Sequence, residues 1–287
     1  MADHKYQMKA KILCNIHISS NYYRLIFIAP EIAQASQPGQ FVMLRISDDY
    51  QPLLRRPFSI HRLVYDSKIS ISSHKKNPKA IGIEILYEIV GRGTKILSEK
   101  KPGEYLDVLG PLGNGFDCQT PITDKQLPII VAGGIGVAPL FFLAQRLTEY
   151  KLPRHAGHRA IVLIGARTKR KILCKKMFAS LSMDVKISSD DGSIGFKGRV
   201  TGLLKNILLS AQICSYKCAM IYACGPRTML REIAIISKQY GIPAQASLDE
   251  YMACGLGVCL GCMIQTKEGH KLVCKDGPVF DISEVKW

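Results

Sequence analysis

Four cysteines crowd the end of the chain, as Cys254-x4-Cys259-x2-Cys262, then eleven residues, then Cys274. Deprotonated thiols are soft metal ligands, and this spacing matches the plant-type [2Fe–2S] pattern of three close cysteines and one distant one. Three thiolates can wrap one side of a small cluster while a returning strand supplies the fourth. Gly255, Gly257 and Gly261 lie among them, letting the backbone curl and aim its amides at sulfur. Structural zinc usually draws on two short-spaced pairs, whereas a long gap isolates Cys274. Zinc and plain structural thiols stand as the alternatives. The other six cysteines are scattered: Cys14, Cys118, Cys174, Cys214, Cys218 and Cys224. Cys214 and Cys218 read as a buried structural pair.

A second chemical signal is the run Val131-Ala132-Gly133-Gly134-Ile135-Gly136-Val137-Ala138-Pro139. It reads as a strand entering a tight turn and then a helix, an arrangement that leaves backbone N–H groups and a positive dipole end facing a pyrophosphate. Pro139 stands where G-x-G-x-x-G has its third glycine, so a packing turn is the competing reading. Cys224-Gly225-Pro226 follows a later strand and suits a nicotinamide ring. In the first half, Arg55-Arg56-Pro57-Phe58-Ser59-Ile60 offers a cation, an apolar ring and a hydroxyl, the groups that a flavin's phosphates, ring face and N5 need. An edge strand with surface arginines is its plain alternative. Gly91-Arg92-Gly93-Thr94 is either a second amide-lined phosphate turn or an ordinary β-turn.

The elements that must position these groups change character along the chain. Residues 9–18, 22–28, 41–46, 68–72, 81–90 and 104–109 are apolar or alternating and punctuated by Pro-Gly turns, which predicts an antiparallel barrel or sandwich without a long helix. A polar stretch over 117–126 reads as a linker. Beyond it, strands at 128–132, 160–164, 185–188 and 219–223 alternate with helices at 138–150, 171–181, 200–209 and 228–240. Such alternation builds a parallel sheet covered on both faces. The expected fold is therefore a multidomain β plus α/β chain. Its domains are 1–116 (β-barrel), 117–243 (α/β, nucleotide-binding) and 244–287, a small Cys- and Gly-rich module that needs a metal staple.

The 287 residues are 47% hydrophobic and 22% charged, which excludes disorder and fits two or three packed domains. The net charge of +16 is spread along the chain, with no basic arm, so nucleic-acid tracking is not expected. A solvated basic surface and a docking face for an acidic protein both fit it. Residues 127–144 are uncharged, but their prolines and glycines break a membrane span into strand, turn and helix. The start, Met-Ala-Asp-His-Lys, carries no apolar leader, and ten cysteines then point to a reducing, cytoplasmic setting.

The order Arg-Pro-Phe-Ser, Gly-Arg-Gly-Thr, glycine turn, Cys-Gly-Pro and terminal cysteines resembles the ferredoxin–NADP reductase superfamily. Within it, the chain resembles the iron–sulfur electron-transfer subunits of type B dihydroorotate dehydrogenase. The likeness covers essentially the whole chain and is carried best by residues 55–60, 110–116, 131–139, 247–255 and 273–280. It implies that FAD is held by Arg56, Pro57, Phe58 and Ser59, with Leu86, Tyr87 and Glu88 along the flavin and Gly93 and Thr94 at its phosphates. It implies NAD at Gly133, Gly134, Ile135, Gly136, Pro139, Cys224, Gly225 and Pro226, and one [2Fe–2S] cluster on Cys254, Cys259, Cys262 and Cys274. The implied partner is an FMN-containing catalytic dihydroorotate dehydrogenase subunit, in a heterotetramer serving pyrimidine synthesis. No acid–base catalyst and no dihydroorotate ligand are expected in this chain. Relatives often carry Arg where this chain has Glu88; Arg92 or Arg55 are the candidates to compensate. Two other readings share the layout: the small subunit of an NADH-dependent ferredoxin:NADP⁺ oxidoreductase or a sulfide dehydrogenase, and a non-enzymatic, zinc-stapled nucleotide-binding protein. Arg167, Thr168, Lys169 and Arg170 follow the second parallel strand, either to meet a 2′-phosphate or as a solvated loop. NAD against NADP stays open.

Overall fold

The structure is a computed structural model that describes residues 4–47, 51–66, 79–118, 127–149, 160–210 and 219–287. Its first sheet is antiparallel. It contains β1 (Tyr6–Ser19), β2 (Tyr22–Ile28), β3 (Phe41–Arg45), β4 (Arg56–Ser59), β5 (Arg62–Tyr65), β6 (Ala80–Glu88) and β7 (Tyr105–Leu112), in the order β4-β3-β7-β1-β2-β6-β5. β1 makes the corner: Tyr6 to Lys11 pair with β7, and Ile12 to Ser19 pair with β2 across two register shifts. Irregularities of this kind bend a strand and let one sheet curl into a barrel. Alternation sends Leu25, Phe27, Ile83 and Ile85 inward, all fully buried.

No long helix interrupts this half, but two short ones that the strand pattern did not mark do: α1 (Pro30–Ala35) and α2 (Arg92–Glu99). The Gly91-Arg92-Gly93-Thr94 segment is therefore the start of α2, not a free β-turn. Thr94 Oγ1 accepts from the N–H groups of Val90 (3.0 Å) and Gly91 (3.2 Å) and so caps the helix. β5 was not anticipated. The strand expected at 68–72 lies outside the described residues, as do Cys214, Cys218 and positions 119–126 of the expected linker.

The second sheet takes β8 (Leu127–Gly133), β9 (Ile161–Ala166), β10 (Asp184–Ser189), β11 (Phe196–Lys197), β12 (Ala219–Cys224), β13 (Ala244–Ser247) and, later in the chain, β16 (Val279–Asp281). Their order is β11-β10-β9-β8-β12-β13-β16, parallel except for β16. Helices α3 (Val137–Glu149), α4 (Lys175–Ser180), α5 (Val200–Leu209) and α6 (Arg227–Tyr240) cover it. Central β8 is buried at every residue, and α3 buries nine of its thirteen, which explains the uncharged run without a membrane. Among the described residues no helix is long and apolar enough to cross a bilayer.

The helix expected over 171–181 is shorter. A 3₁₀ turn at Lys169–Lys171 precedes α4, which starts from Cys174 in the left-handed region (φ 59°). The tail holds a hairpin, β14 (Met263–Thr266) and β15 (Gly269–Leu272). Residues past 243 also add β13 and β16 to the second sheet, and Cys262, Ile264, Val273 and Phe280 share its hydrophobic cluster. The tail thus shares part of its core with the second sheet.

Candidate functional site

Gly133 ends β8, Gly134–Gly136 form a 3₁₀ turn, and α3 follows directly. On one side of β8 lies β9 and on the other β12, so the chain reverses its strand order here, where open α/β sheets bind ligands. A Cβ on Gly136 would stand 2.2 Å from the carbonyl oxygen of Cys224, and one on Gly133 would stand 2.9 Å from Pro226. The glycine turn and Cys224-Gly225-Pro226 therefore form one surface. Pro139 falls in the first turn of α3, where N–H groups have no helical partner and a proline costs nothing. Burial, reinforced by Asp249, pushes the Cys224 thiol up to about 12 against a hydrogen bond from Ser247. It stays a neutral, compact side chain.

On the barrel, Arg56 opens edge strand β4 and donates from Nη1 to the carbonyl of Leu54 at 2.6 Å. A Cβ on Gly93 would lie 3.2 Å from Arg56 Nε, so the guanidinium spreads over the first turn of α2. A cation beside the first turn of a helix makes this a candidate anion site. Alternation splits the other expected contacts. Phe58 and Tyr87 turn into the barrel core, edge to face at 5.8 Å, and Tyr87 donates to Asn15 at 3.0 Å. Leu86 turns the other way, into the cluster containing Val137 and Ala138. Only the backbone of Tyr87 is left to face a ligand on the Leu86 side.

Glu88 is already paired. Asn21 donates to it at 2.8 Å, Lys171 stands 4.0 Å away across the domain junction, and the Tyr22 hydroxyl bonds to it. Of the two candidate substitutes for the missing cation, Arg55 is committed to Asp107 at 2.7 Å on β7. Arg92 reaches Gln51 at 2.8 Å from the start of α2, which leaves it beside the anion site. The loop after β9 is pinned through its backbone, with Lys169 N–H on Ser193 Oγ at 2.8 Å, while Lys169 and Arg170 point outward, exposed.

The tail cysteines fall into two neighbouring pairs. The Cys259 thiol hydrogen-bonds Cys254, and the Cys262 thiol bonds Cys274. Backbone amides aim at the sulfurs: Leu256 N–H at Cys254 (3.3 Å), Gly257 N–H at Cys274 (3.2 Å) and Cys274 N–H at Cys262 (3.4 Å). Burial raises the Cys254 thiol, but N–H donors from Leu256, Cys259 and Val258 outweigh it and bring the thiol down to about 6. Burial and the Cys262 thiol hold Cys274 up at about 12. Among the described residues, no three of His, Cys, Asp and Glu converge as one metal ion requires. Two thiol pairs beneath a cradle of amides suit two irons, each taking two sulfurs, better than one zinc. Cys259 is exposed, and so are its apolar neighbours along the chain, Leu256, Val258, Leu260 and Met263.

Barrel and tail meet tightly. Gly255, at φ 71°, rests on Met43, whose Cγ would lie 2.6 Å from any Cβ there. Met43 is the strand partner of Pro57. Asn114 ties the same corner by donating to the carbonyls of Lys275 (3.2 Å) and Asp276 (3.0 Å). Sequence reasoning did not single out Met43, an ordinary buried methionine, nor the buried His61 and Glu84. The one available signal was Glu84, a carboxylate inside an otherwise apolar strand.

Family models match two parts of the chain: an oxidoreductase NAD-binding domain over residues 130–234, and the iron–sulfur cluster binding domain of dihydroorotate dehydrogenase B over residues 249–286. The chain is 39% identical over 282 residues to the dihydroorotate dehydrogenase B (NAD(+)) electron transfer subunit of Desulforamulus reducens, covering 97% of each. The chain belongs to that family. The subunit of the same name from Geobacillus kaustophilus is 35% identical, over 93% of this chain and 94% of its own. Among solved structures, an NADH-dependent reduced ferredoxin–NADP oxidoreductase is similar at 28% identity and a TM-score of 0.78, covering 97% of this chain and 90% of that one. A ferredoxin NADP⁺ reductase from Neisseria gonorrhoeae shares the fold, with a TM-score of 0.63 at 16% identity over 82% of this chain and 92% of that one. Family membership makes the chain an electron-transfer subunit of an oxidoreductase and sets aside the zinc-stapled binding protein.

Proposed function

We propose that this chain carries FAD and one [2Fe–2S] cluster and passes electrons between an FMN-containing dihydroorotate dehydrogenase subunit and NAD, in the cytoplasm, within a heterotetramer. A nicotinamide exchanges electron pairs as hydride, an iron–sulfur cluster exchanges single electrons, and a flavin does both. Arg56 and the first turn of α2, with Gly93 and Thr94, hold the flavin's phosphates. Ser59 stands at the reactive ring; Pro57, Leu86 and Glu88, with the backbones of Phe58 and Tyr87, form the surrounding wall. Gly133, Gly134, Ile135, Gly136 and Pro139 receive the dinucleotide's pyrophosphate, and Cys224, Gly225 and Pro226 its nicotinamide. Cys254, Cys259, Cys262 and Cys274 hold the cluster, and the exposed apolar neighbours of Cys259 along the chain dock the catalytic subunit.

One observation carries this reading: Met43 is paired with Pro57 and is also the seat of Gly255. Adjacent strands lie roughly 5 Å apart, so the flavin strand and the cluster loop are neighbours, and the protein supplies alignment rather than acid–base chemistry. The identity to dihydroorotate dehydrogenase B subunits, at 35–39% over nearly the full chain, favours that partner over the ferredoxin:NADP⁺ system at 28%. Anaerobic purification with the co-expressed catalytic subunit tests it. The expected product is yellow-brown, shows flavin bands over broad iron–sulfur absorption, and is bleached by NADH and by dihydroorotate. Colourless protein, or bleaching by NADH alone in the assembled complex, would overturn it.

A further inference from the structure

His61 lies two residues beyond Ser59 and is 1% exposed at the junction of the two sheets. Its backbone N–H donates to the carbonyl of Glu84 at 2.9 Å, which fixes it to the barrel. Its side chain leaves the barrel. Nδ1 lies 2.8 Å from the carbonyl oxygen of Ala138, two residues beyond Gly136, and the ring packs, tilted by 32°, against Phe141 of α3 with centroids 5.1 Å apart. A carbonyl can only accept, so Nδ1 carries a proton, and full burial keeps the ring neutral, which leaves a lone pair on Nε2.

That lone pair faces the thiol of Cys174 at 3.9 Å, and the Glu84 carboxylate also at 3.9 Å. Glu84 is fully buried, and Arg62 occupies its Oε2 at 2.7 and 2.9 Å. Its Oε1, on the His61 side, has no hydrogen-bond partner. An acceptor cannot bond an acceptor, so the donor to His61 Nε2 is the Cys174 thiol, which burial keeps protonated. Cys174 caps the start of α4 with its backbone in the left-handed region. The imidazole of one domain is thus clasped by the first residues of two helices of the other, within two residues of each half of the reaction site.

We propose that His61 is a positioning residue for hydride transfer: its bond to Ala138 sets the approach of the glycine turn, and of the nicotinamide on it, to the flavin beside Ser59. This rests on the flavin and NAD sites proposed above. Hydride transfer needs the donor carbon of the nicotinamide and the acceptor nitrogen of the flavin near contact, and a displacement of about 1 Å costs on the order of 100-fold in rate. A hydrogen bond of defined length across the junction controls that distance more sharply than apolar packing alone.

The test is anaerobic stopped-flow reduction of the flavin by NADH in the complex with the catalytic subunit. His61→Phe keeps a ring against Phe141 but loses the donor, and is expected to slow reduction at saturating NADH by roughly 10- to 100-fold. Its flavin content, iron content and NADH dissociation constant should stay near wild type. His61→Asn places an amide N–H near the Nδ1 position and should recover most of the rate, with the charge-transfer absorbance of the NADH–flavin complex. If His61→Phe does not fold, Cys174→Ala decides: it removes the donor to Nε2 alone and should slow saturated reduction several-fold. Wild-type rates in His61→Phe or Cys174→Ala, or an Asn variant no faster than Phe, would overturn the proposal. Failure of wild-type protein to bind flavin or react with NADH would instead sink the functional reading beneath it.

Discussion

The α-carbon of Gly136 faces the carbonyl oxygen of Cys224 so closely that a methyl group there would stand 2.2 Å from it. That contact joins two turns, from separate strands, into one surface, and backbone on both sides leaves nothing flexible to yield. Gly136→Ala must therefore move the turn. The expected result is at least a tenfold loss of NADH affinity or of flavin reduction rate, with flavin and iron retained. Isothermal titration and stopped-flow absorbance measure the two; unchanged values would show that NADH binds elsewhere.

Arg56 is the cation at the head of α2, and Arg55 beside it is spent on Asp107. A hydrogen bond to a charged group contributes about 1.5–3 kcal/mol. Arg56→Ala should thus weaken FAD binding roughly 10- to 100-fold, whereas Arg55→Ala should chiefly lower thermal stability. Flavin content after gel filtration separates them, and equal loss of flavin in both would contradict the assignment.

Cys259 is the exposed member of the four tail cysteines. Cys259→Ser should abolish or greatly reduce iron and acid-labile sulfide while FAD stays bound, because the flavin strand belongs to the other sheet. Iron quantification after anaerobic reconstitution reads the outcome. Full iron retention would remove Cys259 from the ligand set.

Burial holds His61 neutral, with its pKa lowered from 6.5 to about 4; Arg62 and Arg24 push the same way, and the bond to Ala138 opposes. The unfolded chain takes up that proton first, so the stabilisation is present above pH 6.5, fades as pH falls to about 4 and is gone below. The span amounts to roughly 3 kcal/mol. Denaturant midpoints between pH 7 and pH 4 should fall by that measure in wild type and less steeply in His61→Phe. Equal slopes would place the titration elsewhere.

Val258 is 78% exposed beside Cys259 and supports no core. Val258→Glu should leave flavin, iron and NADH reaction intact and prevent co-purification with the catalytic subunit. Undiminished assembly would move the docking face off the cysteine loop.

Much of this was legible in the residues alone. The cysteine spacing, the glycine turn and the Arg-Pro-Phe-Ser strand are local signals, because each set of contacts is built within about a dozen residues. α1 and α2 were missed because short helices are set by their packing and their caps; the Thr94 cap looked like turn chemistry. Tyr87 was expected along the flavin as part of a contiguous segment, but the two-residue period of a strand sends its ring inward while Leu86 faces the other domain. That the tail also extends the second sheet was not legible because β13 and β16 are too short to show a period before they pair with each other.

The amino-acid order by itself singled out the groups proposed to hold phosphate, sulfur-bound metal and nicotinamide, since their chemistry depends on residue type and short spacing. Tertiary structure alone decided that these sites adjoin. Met43 beneath Gly255, Gly136 against Cys224 and His61 on Ala138 join residues far apart in the chain, and such contacts exist only once curled barrel and parallel sheet have packed together.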